Sequence, residues 1–383
     1  MKIFVLGGDG FCGWPIALSL SAKGFDVWIV DDQSRRQIDR ELGIGSLTPI
    51  HPLEERLKAW REIAGRGIAW VNIDIARNYA AFRDLVRLEK PDSIIHLAEQ
   101  RSVPYSMRSI AHRRSTIEGN LGATHNILAA LVECEIDSHL IHLSSIGIYG
   151  YETLGYCISD GYLSVPIKSG CVVKERQVLQ PTNPLSIYHL SKAQDRLFLD
   201  FYNKNDGIRV TDLLQGTVWG TQTPETMLDD RLINRFDYDA VFGTVLNRFV
   251  LQAALGHSLT VYGSGEQTRA FIHITDTVRC IEIALANPPT QGDRMVVLNQ
   301  VAETQRVIDL ATMVSRSVGA AETVFVDNPR EEPASNELQV SNAGLTALDF
   351  EPKTLSGGLL QEIREVVQKY AFRCDKAQLW KTA

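Results

Sequence analysis

Apolar runs and helically spaced apolar residues take turns along the first half of the chain. Lys2–Leu6 is an apolar run that ends in a glycine turn. Gly13–Gly24 follows with Pro15, Ile16, Leu18 and Leu20 at helical spacing. Val27–Val30 reads as a strand ending on Asp31 and Asp32, and a charged stretch containing Arg35 and Arg36 comes next. Trp70–Ile73 is a strand ending on Asp74, Tyr79–Glu89 a helix, and Ser93–Leu97 a buried strand. Gly119–Cys134 reads as a helix and His139–Leu143 as the next strand. Such alternation predicts an α/β fold, with a parallel, doubly wound sheet carrying helices on both faces.

Beyond Leu143 the pattern loosens. Tyr151–Pro184 carries Gly, Pro and Ser and reads as loop, Ser186–Phe201 as a strong helix, and Arg209–Leu214 as one more strand. From Gly216 onward shorter elements alternate with polar loops. The expected division is a Rossmann-type domain over residues 1–215 and a smaller C-terminal α/β lobe over 216–383, with some segments returning to the first sheet.

Composition narrows the function without naming it. The 383 residues are 44% hydrophobic and 22% charged, with a net charge of −7. A chain of this length suits one large or two intimate domains. Its acidic balance argues against nucleic acid or an anionic membrane as a partner. No apolar run approaches the roughly 18 residues of a spanning helix, and no leader is apparent. The six cysteines lack CxxC spacing, so neither a metal site nor a disulfide framework is expected, and a cytoplasmic setting is the simplest reading.

The turn after the first strand reads Gly7-Gly8-Asp9-Gly10-Phe11-Cys12-Gly13. Gly7, Gly10 and Gly13 have the spacing that lets a backbone approach a pyrophosphate and a helix pack closely on a strand. The following helix would offer free N–H groups to phosphates. Asp31, at the end of the second strand, is the expected partner of an adenosine ribose and would repel the 2′-phosphate of NADP, so the expected cofactor is NAD. Arg35 and Arg36 leave an opening for NADP. Asp32, Ile75, Leu97 and Val218 complete the expected cofactor wall. Asp74 reaches the adenine edge or serves only as a strand-end turn residue.

The chemistry is expected from Ser145, Tyr188 and Lys192. Tyr and Lys at i and i+4 project from one helix face. A free tyrosine ionises near pH 10, and bringing that to about 7 takes roughly 4 kcal/mol of preferential anion stabilisation. A nearby ammonium and a positive nicotinamide can supply much of it. Tyr188 could then take a sugar hydroxyl's proton while hydride leaves the same carbon, with Ser145 holding that hydroxyl.

The glycine turn, Asp31, Ser145 and the YxxxK pair together resemble the extended short-chain dehydrogenase/reductases that act on nucleotide sugars. Longer blocks, GGDGFCGW, EQRSVPYSM, SIYHLSK, DYDAVFGTVLNRF and LTVYGSGEQTR, resemble the UDP-sulfoquinovose synthases among them. The resemblance implies a UDP-sugar substrate, transient oxidation at C4 and a nucleophile such as sulfite. It implies Gln215 at the nicotinamide side, Gln100 at the substrate, Arg101 at the sugar or an attacking anion, and Asn247, Gln267, Arg269 and Arg330 around UDP. Surface salt bridges are the other reading of Arg269 and Arg330, and His189 is either a catalytic acid or simply packed. The resemblance also implies a homodimer joined through helices near Gly119–Cys134 and Ser186–Phe201.

One stretch departs from the pattern. Those synthases read Thr-Met-Gly-Glu-Tyr-Gly where this chain has Ser145-Ile146-Gly147-Ile148-Tyr149-Gly150. Sugar dehydratases place Asp-Glu just after the Thr, because eliminating water needs a base and an acid. Leu214 likewise replaces an Asn. A plain 4-epimerase, which needs no further acid–base pair, is therefore a second reading. An NAD-binding regulator without turnover is a third.

Overall fold

The computed structural model describes residues 1–150, 156–169, 172–318, 321–328, 334–355 and 360–380. In chain order the elements begin β1 (Lys2–Leu6), α1 (Gly13–Ala22), β2 (Asp26–Val30), α2 (Ser34–Leu42), α3 (Leu53–Ala64), β3 (Ala69–Val71), α4 (Tyr79–Glu89) and β4 (Ser93–His96). They continue with α5 (Val103–Met107), α6 (Ile110–Glu133), β5 (His139–Ser145), β6 (Tyr162–Ser169), β7 (Val172–Leu179), α7 (Ile187–Asp206), β8 (Arg209–Gln215) and β9 (Thr217–Trp219). The C-terminal part holds α8 (Val245–Ala254), β10 (Leu259–Tyr262), β11 (Glu266–His273), α9 (Ile274–Ala286), β12 (Val296–Gln300), β13 (Glu303–Arg306) and α10 (Val307–Val318).

Seven strands form one sheet in the order β12-β8-β5-β4-β1-β2-β3, and every pairing in it is parallel. The chain winds outward in both directions from β1 and β4, so a crevice opens between their C-terminal ends. Side chains alternate along these strands. Ile3, Val5, Val27, Ile29, Ile95 and Ile141 pack with α1, α3 and α9 on one face. Phe4, Leu6, Val30, Ile94 and Leu140 pack with α4, α6 and α7 on the other. A separate core around Trp219, Phe236, Phe249 and Phe271 gathers the C-terminal elements. β12 comes from far along the chain and closes the edge of the main sheet beside β8.

The segment read as loop between Tyr151 and Pro184 contains, in its described part, an antiparallel hairpin of β6 and β7, paired from Tyr162↔Leu179 to Ser169↔Val172. Gly, Pro and Ser around it mask alternating Leu163, Val165 and Ile167. Pro166 is tolerated because a two-stranded ribbon leaves each strand an outer edge. The charged stretch after Asp32 likewise folds, into α2 and α3. There Arg56 sits fully buried on the same face as Leu53, Ala59 and Trp60, so a charge occupies an apolar helical position and hides the period. α6 begins at Ile110 rather than Gly119, and α7 runs on to Asp206 until Gly207 ends it at φ 71°.

Trp14 ties these layers together. It is fully buried, its indole N–H donates to the Leu232 carbonyl at 2.8 Å, and the Arg56 guanidinium stacks 3.9 Å from its ring centre. Trp14→Ala should cost about 3–5 kcal/mol of unfolding free energy in urea titration. A loss under about 1 kcal/mol would contradict this placement of the tryptophan.

Candidate active site

The glycine turn is fixed by space. Gly7 adopts φ +82°, and a Cβ there would lie 2.8 Å from the Leu97 carbonyl carbon. A Cβ on Gly13 would lie 2.1 Å from the Gly7 carbonyl oxygen. Gly10 is less constrained, with one neighbour at 3.1 Å. The turn therefore brings the N-terminus of α1 hard against the end of β1, at the mouth of a cleft of about 670 Å³. Gly7, Gly10, Phe11, Cys12, Gly13, Asp31, Asp32, Arg35, Asp74, Ile75, Leu97 and Gln215 all line it, as does Gln100. A cradle that excludes side chains, faced by helix N–H groups and ending on a carboxylate, fits a dinucleotide.

Asp31 closes the far side of the turn. Its carboxylate accepts N–H bonds from Asp9 at 2.9 Å and Gln33 at 2.7 Å. Burial, and next the charge of Asp9, lift it to about 6. Asp32 accepts from the Ser34 N–H, and Asp74 from that of Arg77. Both arginines that left room for a 2′-phosphate are committed elsewhere. Arg36 and Arg56 both bind the Asp9 carboxylate. Arg35 pairs with Asp39 and Asp237 and stacks 3.5 Å over Phe242. The Cys12 thiol, pushed up to about 11 by burial, stays protonated.

A second cavity of about 280 Å³ adjoins the first, and Phe11, Cys12, Arg101, Ser144, Tyr188, Gln215 and Phe242 line both. Tyr188 thus stands where the two meet. Ser186 caps α7 by accepting the His189 N–H, which puts Tyr188 in the first turn and Lys192 one turn later. Ser145, at the end of β5, is a hydrogen-bonding neighbour of Tyr188 that favours its phenolate, and it accepts the Gly147 N–H at 3.1 Å. Lys192 donates to the Leu143 carbonyl at 2.5 Å and lies 2.7 Å from a Glu99 oxygen. Burial raises Tyr188 above its ordinary range. Lys192 lowers it, and Glu99 works against Lys192. A carboxylate thus partly cancels the ammonium expected, together with the nicotinamide, to acidify the phenol.

Gln267, Arg269, Val218, Ile146 and His189 line the second cavity, and Val218 does not border the first, which corrects its expected place in the cofactor wall. Gln100 holds its own loop through Ser102 and Asn120. Arg101 donates to Asp237 at 2.8 Å, and three arginines (Arg35, Arg235 and Arg101) outweigh burial to hold Asp237 near 2. Asn247 stands one layer back. It is buried, its amide donates to the Asp237 carbonyl, and it lines neither cavity, which corrects the expectation of direct UDP contact. Arg330 lies outside the described residues.

The departing stretch also resolves into places. Ile148 is fully buried in the sheet core and lines neither cavity, so the carboxylate missing there is not missing from the cavity wall. Ile146 and Gly147 do line it. A Cβ on Gly147 would fall 2.2 Å from His189 Nε2. The imidazole occupies the room that a side chain at position 147 would need. Burial, and secondarily Arg269, push His189 down to about 4, so it is neutral near pH 7.

Sequence reasoning missed Glu99, His142, Asp212 and Asp9. The available signal was polarity out of place: His96, His142 and Asp212 sit at fully buried strand positions.

Comparison with known proteins agrees with this geometry. Residues 3–298 match the model of the NAD dependent epimerase/dehydratase family. The chain is 40% identical to the chloroplastic UDP-sulfoquinovose synthase of Spinacia oleracea, over 99% of this chain and 78% of that one. It is 37% identical to the UDP-sulfoquinovose synthase of Sulfolobus acidocaldarius, over 92% and 89%. Among solved structures, a UDP-glucose 4-epimerase from Thermotoga maritima with UDP-glucose superposes with a TM-score of 0.71 at 21% identity, covering 96% of this chain and 99% of that one. Among the described residues no helix is long and apolar enough to cross a membrane.

Asp31 gives a signed pH prediction. Its ionised form would accept ribose hydroxyls and repel a 2′-phosphate, so affinity for NAD should weaken as pH falls through about 6, and NAD should be preferred to NADP above that. Calorimetry showing NAD affinity unchanged across this range, or NADP bound as tightly at about pH 8, would contradict the assignment.

Proposed function

Because the chain belongs to the NAD dependent epimerase/dehydratase family, we propose that it modifies a nucleotide sugar, a UDP-hexose, through transient oxidation at C4, in the manner of a UDP-sulfoquinovose synthase. The observation that carries this is Tyr188 at the junction of the two cavities, bonded to Ser145 and backed by Lys192. NAD bound in the cleft would supply a reversible hydride acceptor for the sugar carbon. Gly7, Gly10, Gly13 and the α1 N-terminus cradle its pyrophosphate and Asp31 its ribose. Asp32, Arg35, Asp74, Ile75, Leu97, Phe11 and Cys12 form the wall, and Gln215 the nicotinamide side. Lys192 holds Tyr188 from behind. Ser145 positions the C4 hydroxyl, and Tyr188 accepts its proton and gives it back.

Gln100, Arg101, Gln267 and Arg269 serve the substrate side, Arg330 is carried as a further UDP contact, and Asn247 supports the Asp237 loop. A C4 ketone acidifies the C5 proton. His189, neutral and seated against Gly147, accepts that proton and passes it to the departing C6 hydroxyl, which leaves as water. Bisulfite then adds its sulfur at C6, its proton goes to C5 and C4 is reduced, so the sugar exchanges a hydroxyl for a sulfonate with no net redox change. The apolar wall at Ile146 favours a second reading, a UDP-sugar 4-epimerase that needs only Tyr188.

The domain boundary is placed between Gln215 and Gly216, where β8 leaves the cleft. The protein is placed in the cytoplasm as a homodimer. α7 exposes Leu190, Leu197 and Phe201, a stripe at helical spacing that suits a helix-to-helix partner.

Three outcomes follow. Tyr188→Phe should lower turnover about 10³-fold while calorimetry still registers NAD; unchanged turnover would remove Tyr188 from the chemistry. Incubation with UDP-glucose and sulfite should yield a UDP-sulfosugar by mass spectrometry. An epimer of unchanged mass would select the second reading, and an untouched sugar would overturn both. Leu197→Glu with Phe201→Glu should convert a dimer to a monomer in light scattering, and a wild type already monomeric would refute the interface.

A further inference from the structure

Behind the Tyr188–Lys192 pair lies a buried set of ionisable groups that proton transfer at the sugar does not itself require. Glu99, just after β4, has one oxygen 2.7 Å from Lys192 Nζ. Its other oxygen lies 3.1 Å from His96 Nε2 and 3.3 Å from His142 Nε2. His142, on β5, binds Asp212 of β8 through Nδ1 at 2.8 Å. Its Nε2 is 3.3 Å from Lys192 Nζ. Asp195 approaches His142 at 3.9 Å, and Arg196 approaches Asp212 at 3.8 Å while donating to the Tyr149 hydroxyl at 2.7 Å. The Glu99, His142 and Lys192 side chains are no more than 4% exposed.

We infer that Glu99, shared between Lys192 and His142, is a positioning residue that sets the pH at which Tyr188 takes up its proton, acting through Lys192. The inference rests on the reading of Tyr188 and Lys192 as the catalytic pair. Its logic is electrostatic. A buried lysine keeps its charge only when an acid compensates it. Burial alone would lower Lys192, and Glu99, then Tyr188 and Asp195, raise it above its ordinary value. The same carboxylate disfavours the Tyr188 phenolate. His142, held up to about 9 against burial and Lys192 by Asp212 and Glu99, draws part of the Glu99 charge away from Lys192. Glu99 is thus a divided counter-ion, and how it divides decides how much of the ammonium's field reaches Tyr188.

The groups facing this site come from every packed element. β4 and its loop bring His96, Glu99 and Arg101, and β5 brings His142. β8 brings Asp212, and α7 brings His189, Asp195 and Arg196. The turn after β5 brings Tyr149, the glycine turn Cys12, and β11 reaches His189 through Arg269. Of these, only Glu99 touches both Lys192 and His142 with its carboxylate.

The test is an ultraviolet phenolate titration of the NAD-loaded protein, taken as a difference from the same protein carrying Tyr188→Phe. With Glu99→Gln, Asp195 is no longer held up by the Glu99 charge, so it ionises and keeps Lys192 charged. The Tyr188 midpoint should then move down by about one pH unit, because the carboxylate that disfavours the phenolate is removed. His142→Gln should move it up by a smaller amount, because Glu99 then faces Lys192 alone. Opposite shifts cannot arise from a general loss of structure. Midpoints that stay fixed, or move together, overturn the inference. If Glu99→Gln fails to fold, His142→Gln decides alone, with an upward shift supporting the inference and any other result overturning it. Failure of the underlying reading looks different: Tyr188→Phe would then still turn over UDP-glucose while the two midpoints move as stated.

Discussion

Lys192 carries a charge in a place almost without water, and much of the surrounding structure is arranged to make that possible. The Leu143 carbonyl on β5 accepts one of its hydrogen bonds, and the Glu99 carboxylate delivered by β4 lies against it. Strands β4, β5 and β8 must lie side by side in parallel for Glu99, His142 and Asp212 to reach one another. α7 must then pack on that face with its first turn directed at the cleft. A lysine left here with neither Glu99 nor Asp195 to compensate it would neutralise, or pull water into the core. The sheet order and the placing of Tyr188 with Lys192 are therefore one arrangement.

The second constraint is spatial. Gly13 admits no Cβ against the Gly7 carbonyl, and Gly147 admits none against His189. The first brings a helix terminus to the mouth of the long cleft. The second leaves an imidazole where a side chain at position 147 would stand. Between them Tyr188 borders both cavities, so the phenol proposed as proton acceptor stands where the long cleft meets the smaller cavity. Asp9 adds a fixed point outside the chemistry. Its two arginine partners, Arg36 and Arg56, fasten α2 and α3 to the glycine turn.

The sheet and the glycine turn were legible because their signals are local. Strand runs, glycines at fixed spacing and an acidic strand end each occupy a few neighbouring residues. Tyr188 and Lys192 were legible for the same reason, being one helical turn apart. The charged network was not, because Glu99, His142, Lys192 and Asp212 lie on four elements and meet only through sheet register. α3 escaped notice because Arg56, fully buried between Trp14 and Asp9, breaks an otherwise apolar face. The β6–β7 hairpin escaped because flanking Gly, Pro and Ser outweigh its short alternating strands. Ile148 looked chemically telling in sequence, yet its side chain belongs to the core, and only Ile146 and Gly147 border the cavity.

Transient oxidation at C4, with hydride lent and returned inside one active site, is the central claim. It is tested most directly with UDP-glucose deuterated at C4, incubated with NAD-loaded protein and sulfite and followed by mass spectrometry and NMR of the recovered sugar. The account predicts a changed sugar that still carries its deuterium at C4, with no stoichiometric consumption of NAD. Deuterium lost to water, or a changed sugar formed without NAD, would contradict it.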